Sequence, residues 1–224
     1  MPPLTLPSFR DPALLETALT HRSALNEKLS GSGQSYERLE FLGDAVLELA
    51  TTQYLFDAHP RESEGVLTAY RSALVKTTTL AEVAKALGLP ERIYMSKGES
   101  NSGGRQNDGI LADVFEAVVG ALYLDQNYQA VVEYLRQVLF PKFVDIKTSK
   151  TYIDPKSHLQ EVVQSRGMGT PSYRVTAATG PDHDKEFVVQ VMVKGKTAGQ
   201  GSGKSKQLAQ QAAAQQALEV LLGQ

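Results

Sequence analysis

Glu37-Arg38-Leu39-Glu40-Phe41-Leu42-Gly43-Asp44-Ala45-Val46-Leu47-Glu48 is the stretch on which the reading of this chain turns. It lies inside a helical pattern over 35–56, and its acids step by three, four and four residues. Side chains at those steps share one helix face. Like charges so placed repel by a few tenths of a kcal/mol per pair, so something must offset them. Two readings are open. One is a solvated acidic face, relieved by Arg38 and water. The other is a platform for a hard divalent cation, which takes carboxylate oxygens as ligands.

A second segment bears on that choice. Leu111-Ala112-Asp113-Val114-Phe115-Glu116-Ala117-Val118-Val119-Gly120-Ala121 is mostly apolar, yet it carries Asp113 and Glu116 one turn apart. Burying two acids without partners is costly, and a cation or a buried arginine would relieve it. If this helix packs beside the first, Glu40, Asp44, Asp113 and Glu116 converge on one cluster.

Outward from these helices, periodicity predicts others over 12–25, 63–76, 79–87 and 128–140. Ser63 and Asn127 are expected N-caps, and Gly88 and Pro90 close the helix before them. The glycine-rich stretch 96–108 reads as a loop. Residues 144–154 are polar and without clear period, and read as a linker whose flexible reach is about 15–20 Å.

Beyond the linker the grammar changes. Residues 155–166 predict a short helix. Tyr173, Val175 and Ala177 alternate with polar neighbours, as do Phe187, Val189, Val191 and Val193, so both segments read as strands. Residues 197–201 suggest a third strand, and 204–222 a helix with Ala209, Ala212, Ala213, Ala217, Val220 and Leu221 on its apolar stripe. The order is α-β-β-β-α. Gly201-Ser202-Gly203-Lys204-Ser205-Lys206 opens the last helix, where free N–H groups and two lysines suit phosphate, or form only a hinge and a solvated cap. His183 sits in the turn 180–184, which by itself is an ordinary hairpin turn.

Composition narrows the chemistry. The 224 residues include no cysteine, which removes disulfides, thiolate metal sites and cysteine nucleophiles. Histidines 21, 59, 158 and 183 form no ligand pair at helical spacing, so any metal must be held by oxygen, which favours Mg²⁺, with Mn²⁺ able to substitute. Net charge is −2 overall. Residues 1–150 carry 15 basic against 19 acidic side chains, and 151–224 carry 8 against 6. Residues 1–10 hold three prolines and no apolar core, and the longest apolar run, 117–124, is too short to span a bilayer. The expectation is a cytoplasmic protein with no membrane segment.

The stretch 37–48 resembles the signature of the ribonuclease III family. Thr20-His21-Arg22-Ser23 is similar to the family's lead-in. Glu64-Gly65 with Leu67-Thr68 and Arg71-Ser72-Ala73-Leu74-Val75 resembles its next block. Gly103-Gly104-Arg105 through Asp113-Val114-Phe115-Glu116-Ala117 resembles its last catalytic block. The tail resembles a double-stranded-RNA-binding domain. The resemblance covers nearly the whole chain, in order.

It implies an all-α ribonuclease III catalytic domain over 1–147, a linker over 148–154 and an α+β double-stranded-RNA-binding domain over 155–224. Glu40, Asp44, Asp113 and Glu116 would be metal ligands, with Asp44 and Glu116 catalytic. Glu37 and Glu64 would place RNA at the cut, and Phe41 would touch the partner of a homodimer. Ser157, Gln160, Glu161, Gln164 and His183 would meet the minor groove, and Lys204 and Lys206 would meet phosphate. The implied reaction is Mg²⁺-dependent hydrolysis of double-stranded RNA in rRNA and mRNA precursors. It leaves 5′-phosphate and 3′-hydroxyl ends with short 3′ overhangs.

Two departures stand out. Gln106-Asn107-Asp108-Gly109 replaces a stretch where many relatives carry a lysine and a serine. Gln207-Leu208 stands where another lysine often precedes an alanine, which predicts a shallower salt dependence of RNA binding. One cluster per chain against two strands per duplex favours a twofold dimer. Two rivals remain: a catalytically silent duplex-RNA binder, and a structural dimer with solvated acids.

Overall fold

A helix that is apolar over most of its circumference has to run through a core, and Asp108–Asp125, interrupted mainly by Asp113 and Glu116, is such a helix. The computed structural model describes residues 4–149, 152, 154–181 and 185–223. The chain divides into two compact units, Met1–Tyr152 and Ile153–Gln224. The first is built from α1 (Pro12–Ala18), α2 (Arg22–Glu27), α3 (Glu37–Ala58), α4 (Glu64–Leu74), α5 (Thr77–Ala86) and α6 (Lys97–Asn101). A 3₁₀ turn (Gly104–Gln106), α7 (Asp108–Asp125), α8 (Tyr128–Val138) and α9 (Lys142–Ser149) complete it. Helix α7 is the axis: Leu111, Val114, Phe115, Val118 and Val119 are withdrawn from water, and α1, α3 and α5 pack around it.

Helices α3 and α7 meet backbone to backbone. A Cβ added at Gly120 would lie 2.2 Å from the Leu39 carbonyl oxygen, which no side chain can occupy. Glycine at both Gly43 and Gly120 removes the side-chain layer that ordinarily keeps helix axes 8–10 Å apart. The acids of the two helices are drawn together as a result.

Caps fall as expected at two sites. Ser63 Oγ accepts from the Val66 N–H at 3.4 Å, and Asn127 Oδ1 accepts from the Ala130 N–H at 3.1 Å. Three readings are corrected. The helix expected over 12–25 is broken, because the Tyr94 N–H donates to the Leu19 carbonyl at 2.8 Å and the His21 N–H to the Tyr94 carbonyl at 2.9 Å. Those groups are spent on a parallel bridge at Thr20 and Tyr94, and His21 then caps α2. The expected loop 96–108 holds α6 and the 3₁₀ turn, started by Ser96 Oγ accepting from the Glu99 N–H at 3.1 Å. The expected linker begins too early: α9 continues to Ser149 because Phe143 and Ile146 are buried. The Tyr70 ring lies 4.9 Å from that of Phe143 and 4.6 Å from that of Tyr152.

In the second unit α10 (Pro155–Ser165) precedes β1 (Ser172–Thr179), β2 (Glu186–Val193), β3 (Lys196–Gly203) and α11 (Lys206–Leu222). The strands form an antiparallel sheet in the order β1-β2-β3, with Tyr173 opposite Val191 and Gln190 opposite Gln200. Lys194 and Gly195, both at positive φ, make the two-residue turn that joins β2 to β3. Val189, Val191 and Val193 alternate into a core with Leu159, Val163, Ala213 and Ala217. The third strand is longer than the sequence suggests, since its glycines admit the helix: a Cβ on Gly201 would lie 2.3 Å from the Ala213 nitrogen. The buried stripe of α11 includes Ala214 and Leu218, whereas Val220 is exposed.

Candidate metal centre and nucleic-acid interface

The first turns of α3 carry Glu37 and Glu40, with Asp44 a turn further on, while α7 carries Asp113 and Glu116. One carboxylate oxygen each from Glu40, Asp113 and Glu116 can be chosen so that all lie within 4.8 Å of one another. Asp44 is outside that triangle, exposed at its side, but its charge still acts on both Glu40 and Glu116. The structure therefore brings together three of the four expected ligands, with the fourth alongside.

The electrostatics match the crowding. Burial pushes Glu116 up to about 8 from the ordinary carboxylate range, and Asp44, Asp113, Glu40 and Glu48 push the same way. Burial also raises Glu40, reinforced by Asp113, Glu37 and Asp44. Asp113 is raised by burial and drawn partly back by His21. The charged side chains acting on Glu116 are all acids, and His21 beside Asp113 is the one opposing group acting on the triangle among the described residues. Three oxygen donors from rigid helices at this spacing fit a hard divalent cation such as Mg²⁺ or Mn²⁺.

The remaining acids of the row are compensated differently. Glu48 pairs with Arg71 Nε at 2.9 Å. Glu37 accepts from Ser35 Oγ at 2.9 Å and faces Arg22 at 3.7 Å; the cation beside it is Arg22, where the sequence suggested Arg38. Within the row, Glu37 and Glu48 are thus paired with arginines, Asp44 is exposed, and Glu40 is the acid drawn in toward α7. Glu37 also lines a hollow of about 450 Å³ with Arg22, Tyr36, Glu40, Glu99 and Asp113. Glu64 does not join it. It accepts from Thr68 Oγ1 at 2.9 Å and lines a separate hollow of about 440 Å³ with Phe56 and Arg71. Phe41 is 84% exposed on α3, and Leu49 and Phe56 are exposed within an arc of about 80° on the same helix.

In the second unit Gln160, Glu161 and Gln164 are exposed along α10, and Gln164 Nε2 donates to Thr170 Oγ1 at 3.4 Å. The Ser157 hydroxyl donates to Asp154 Oδ2 at 2.8 Å within the helix cap. Ser157 and Gln160 border a hollow of about 330 Å³ closed on its far side by Gln207 and Gln211 of α11. Gln207 was noted in the sequence only as a departure from a lysine, and Gln211 was not singled out; their four-residue spacing at the start of α11 was the available signal. Lys204 and Lys206 are exposed, and Lys206 Nζ lies 5.9 Å over the Phe187 ring. The helix starts two residues later than expected, because Ser205 caps it by accepting from the Leu208 N–H at 3.2 Å. His183 lies outside the described residues.

A helical unit with a carboxylate triangle, followed by an α-β-β-β-α unit, defines a class that comparison with known proteins identifies. The model of the Ribonuclease-III-like family matches residues 11–143, and that of the Double-stranded RNA binding motif matches residues 155–221. The chain is 48% identical over 214 residues to Ribonuclease 3 of Geobacillus kaustophilus (strain HTA426), covering 96% of this chain and 87% of that protein. It is 46% identical over 211 residues to Ribonuclease 3 of Streptococcus pneumoniae (strain CGSP14), covering 94% and 90%. Among solved structures, the nuclease domain of ribonuclease III from Campylobacter jejuni superposes with a TM-score of 0.55 at 39% identity, over 60% of this chain and 92% of that one. Dicer from Pichia stipitis superposes with a TM-score of 0.50 at 28% identity, over 96% of both chains. The chain belongs to the ribonuclease III family.

Proposed function

We propose that this protein is a divalent-cation-dependent endoribonuclease that hydrolyses phosphodiester bonds in double-stranded RNA. The observation that carries the reading is the convergence of Glu40, Asp113 and Glu116 from two helices, in a chain whose second unit matches the Double-stranded RNA binding motif.

Glu40, Asp113 and Glu116, joined by Asp44, would hold Mg²⁺, with Mn²⁺ able to replace it. When bound, such an ion lowers the pKa of a water and offsets charge on the phosphate and leaving oxygens. Asp44 and Glu116 would act closest to the reacting atoms, Asp44 from the solvent edge. Glu37 and Glu64 would position RNA. Residues 1–147 would supply the cut and residues 155–224 the grip. In the grip, Ser157, Gln160, Glu161, Gln164 and His183 would meet the minor groove, and Lys204 and Lys206 would meet phosphate.

A homodimer would present one acid triangle to each strand, with the exposed Phe41 at its contact. Products with 5′-phosphate and 3′-hydroxyl ends and short 3′ overhangs, and rRNA and mRNA precursors as cytoplasmic substrates, follow from the family resemblance. Among the described residues, no helix is long and apolar enough to cross a membrane.

The experiment incubates a long RNA duplex, and its separated strands, with protein in Mg²⁺ and in EDTA. Cutting of the duplex alone, and in Mg²⁺ alone, is expected. Retention of the duplex without cutting in Mg²⁺ would make the protein a silent binder. Neither binding nor cutting would leave a scaffold.

A further inference from the structure

The lead-in Thr20-His21-Arg22-Ser23 has no role in the reading above, yet it is tied down on every side. Thr20 is fully buried and its carbonyl accepts from the Tyr36 N–H at 2.9 Å. Ser23 Oγ accepts from the Ser96 N–H at 3.0 Å and lies 2.8 Å from His21 Nδ1. These bonds clamp the backbone on both sides of Arg22 to the start of α3 and to the segment that leads into α6.

The Arg22 side chain does the opposite. It is 75% exposed and reaches the hollow beside the acid triangle. Glu37, Glu40, Glu99 and Asp113 border that hollow, and Arg22 is the one lysine or arginine among the described residues lining it. A polyanion entering here meets four acids. A cation held by the triangle answers Glu40 and Asp113, but Glu37 and Glu99 remain. The pairing of Arg22 with Glu37 is loose, at 3.7 Å between groups that are both more than half exposed, so the guanidinium donors stay available to another acceptor. A planar fork of N–H donors matches a phosphate in a way an ammonium does not.

We propose that Arg22 is a phosphate-binding residue for the substrate strand, taking a backbone phosphate beside the one cut at the acid triangle. The proposal rests on the double-stranded-RNA reading above. The anchored backbone sets where the guanidinium starts from, and the exposed side chain supplies the reach.

The test uses the full chain and a short hairpin RNA duplex. Binding is measured in Ca²⁺ across a range of salt concentrations, and single-turnover cleavage in Mg²⁺. Arg22→Ala is expected to weaken binding about fivefold and to reduce the slope of log affinity against log salt by about one, as loss of one phosphate contact requires. Arg22→Lys should restore the slope but only part of the affinity. Arg136→Ala, which removes an exposed charge on α8, should leave the slope unchanged. An unchanged slope in Arg22→Ala, with a slower cleavage rate at saturation, would show that Arg22 only holds Glu37 and would overturn the proposal. Wild-type protein that binds the duplex but never cuts it would sink the endonuclease reading instead, since the slope is read without cutting.

Discussion

A Cβ built on Gly43 would stand 1.8 Å from the carbonyl oxygen of Glu116. The backbones of α3 and α7 thus approach most closely one residue away from Asp44 and at Glu116 itself. Gly43→Ala should therefore separate the helices, destabilise the first unit by about 3 kcal/mol through overpacking, and abolish cleavage. Thermal unfolding and a duplex-cleavage assay check this. A melting temperature within a degree of wild type would show that the approach is looser than described.

The raised carboxyl of Glu116 sets a pH dependence with a definite sign. The native state holds this proton up to about pH 8, whereas the unfolded chain releases it near 4.5. Between those values the native state binds more protons, so its stability without divalent ions falls as pH rises through the window. Below about 4.5 the contribution is fully present. Glu40 and Asp113, raised in the same direction, add to the trend. Melting in EDTA at pH 5.5 and pH 8 should show the first unit less stable at the higher pH. Glu116→Gln should flatten the difference and abolish cutting while duplex binding in Ca²⁺ survives. Normal turnover by that variant would remove Glu116 from the catalytic set.

Phe41 should matter to assembly and little to the fold of one chain. An 84% exposed aromatic contributes almost nothing to its own core. Phe41→Ala is expected to weaken dimerisation at least tenfold in sedimentation experiments, with a melting temperature of the separated chain close to wild type. An unaltered dimer would place the contact elsewhere, with Leu49 and Phe56 the next candidates on the same face.

Lys206 is the first residue of α11, one before Gln207, and its exposed side chain lies over the Phe187 ring. Lys206→Ala should weaken duplex binding by a similar factor for all sequences and lower the salt slope by about one, because phosphate contacts carry no sequence information. A loss confined to some duplex sequences would assign it to base reading instead.

Much of this was legible in residue spacing. The three-and-four step of the acids on α3, and Asp113 and Glu116 in an apolar run, marked the acids of which the fold brings Glu40, Asp113 and Glu116 together, although spacing alone left a solvated acidic face open as well. Alternation at Phe187, Val189, Val191 and Val193 located the central strand. What could not be read was anything decided by contacts distant in sequence. The break at Leu19–His21 is made by Tyr94, more than seventy residues away, and helical periodicity carries no trace of it. Helix α9 looked like a linker because its polar residues outnumber Phe143 and Ile146, the two that are buried. Asp44 and Glu40 share a face, yet only Glu40 lies in the triangle, since the choice depends on where α7 crosses. Gly43 and Gly120 were visible, but their meaning is a distance between two helices that neither helix encodes alone.

The central claim is that a divalent ion sits where α3 and α7 cross. Crystals of the full chain grown with Mn²⁺, and diffraction collected at an energy where manganese scatters anomalously, test it directly. One strong anomalous peak within coordination distance of carboxylate oxygens of Glu40, Asp113 and Glu116 is expected. Well-ordered carboxylates with no peak between them at millimolar Mn²⁺, or a peak elsewhere in the chain, would contradict it.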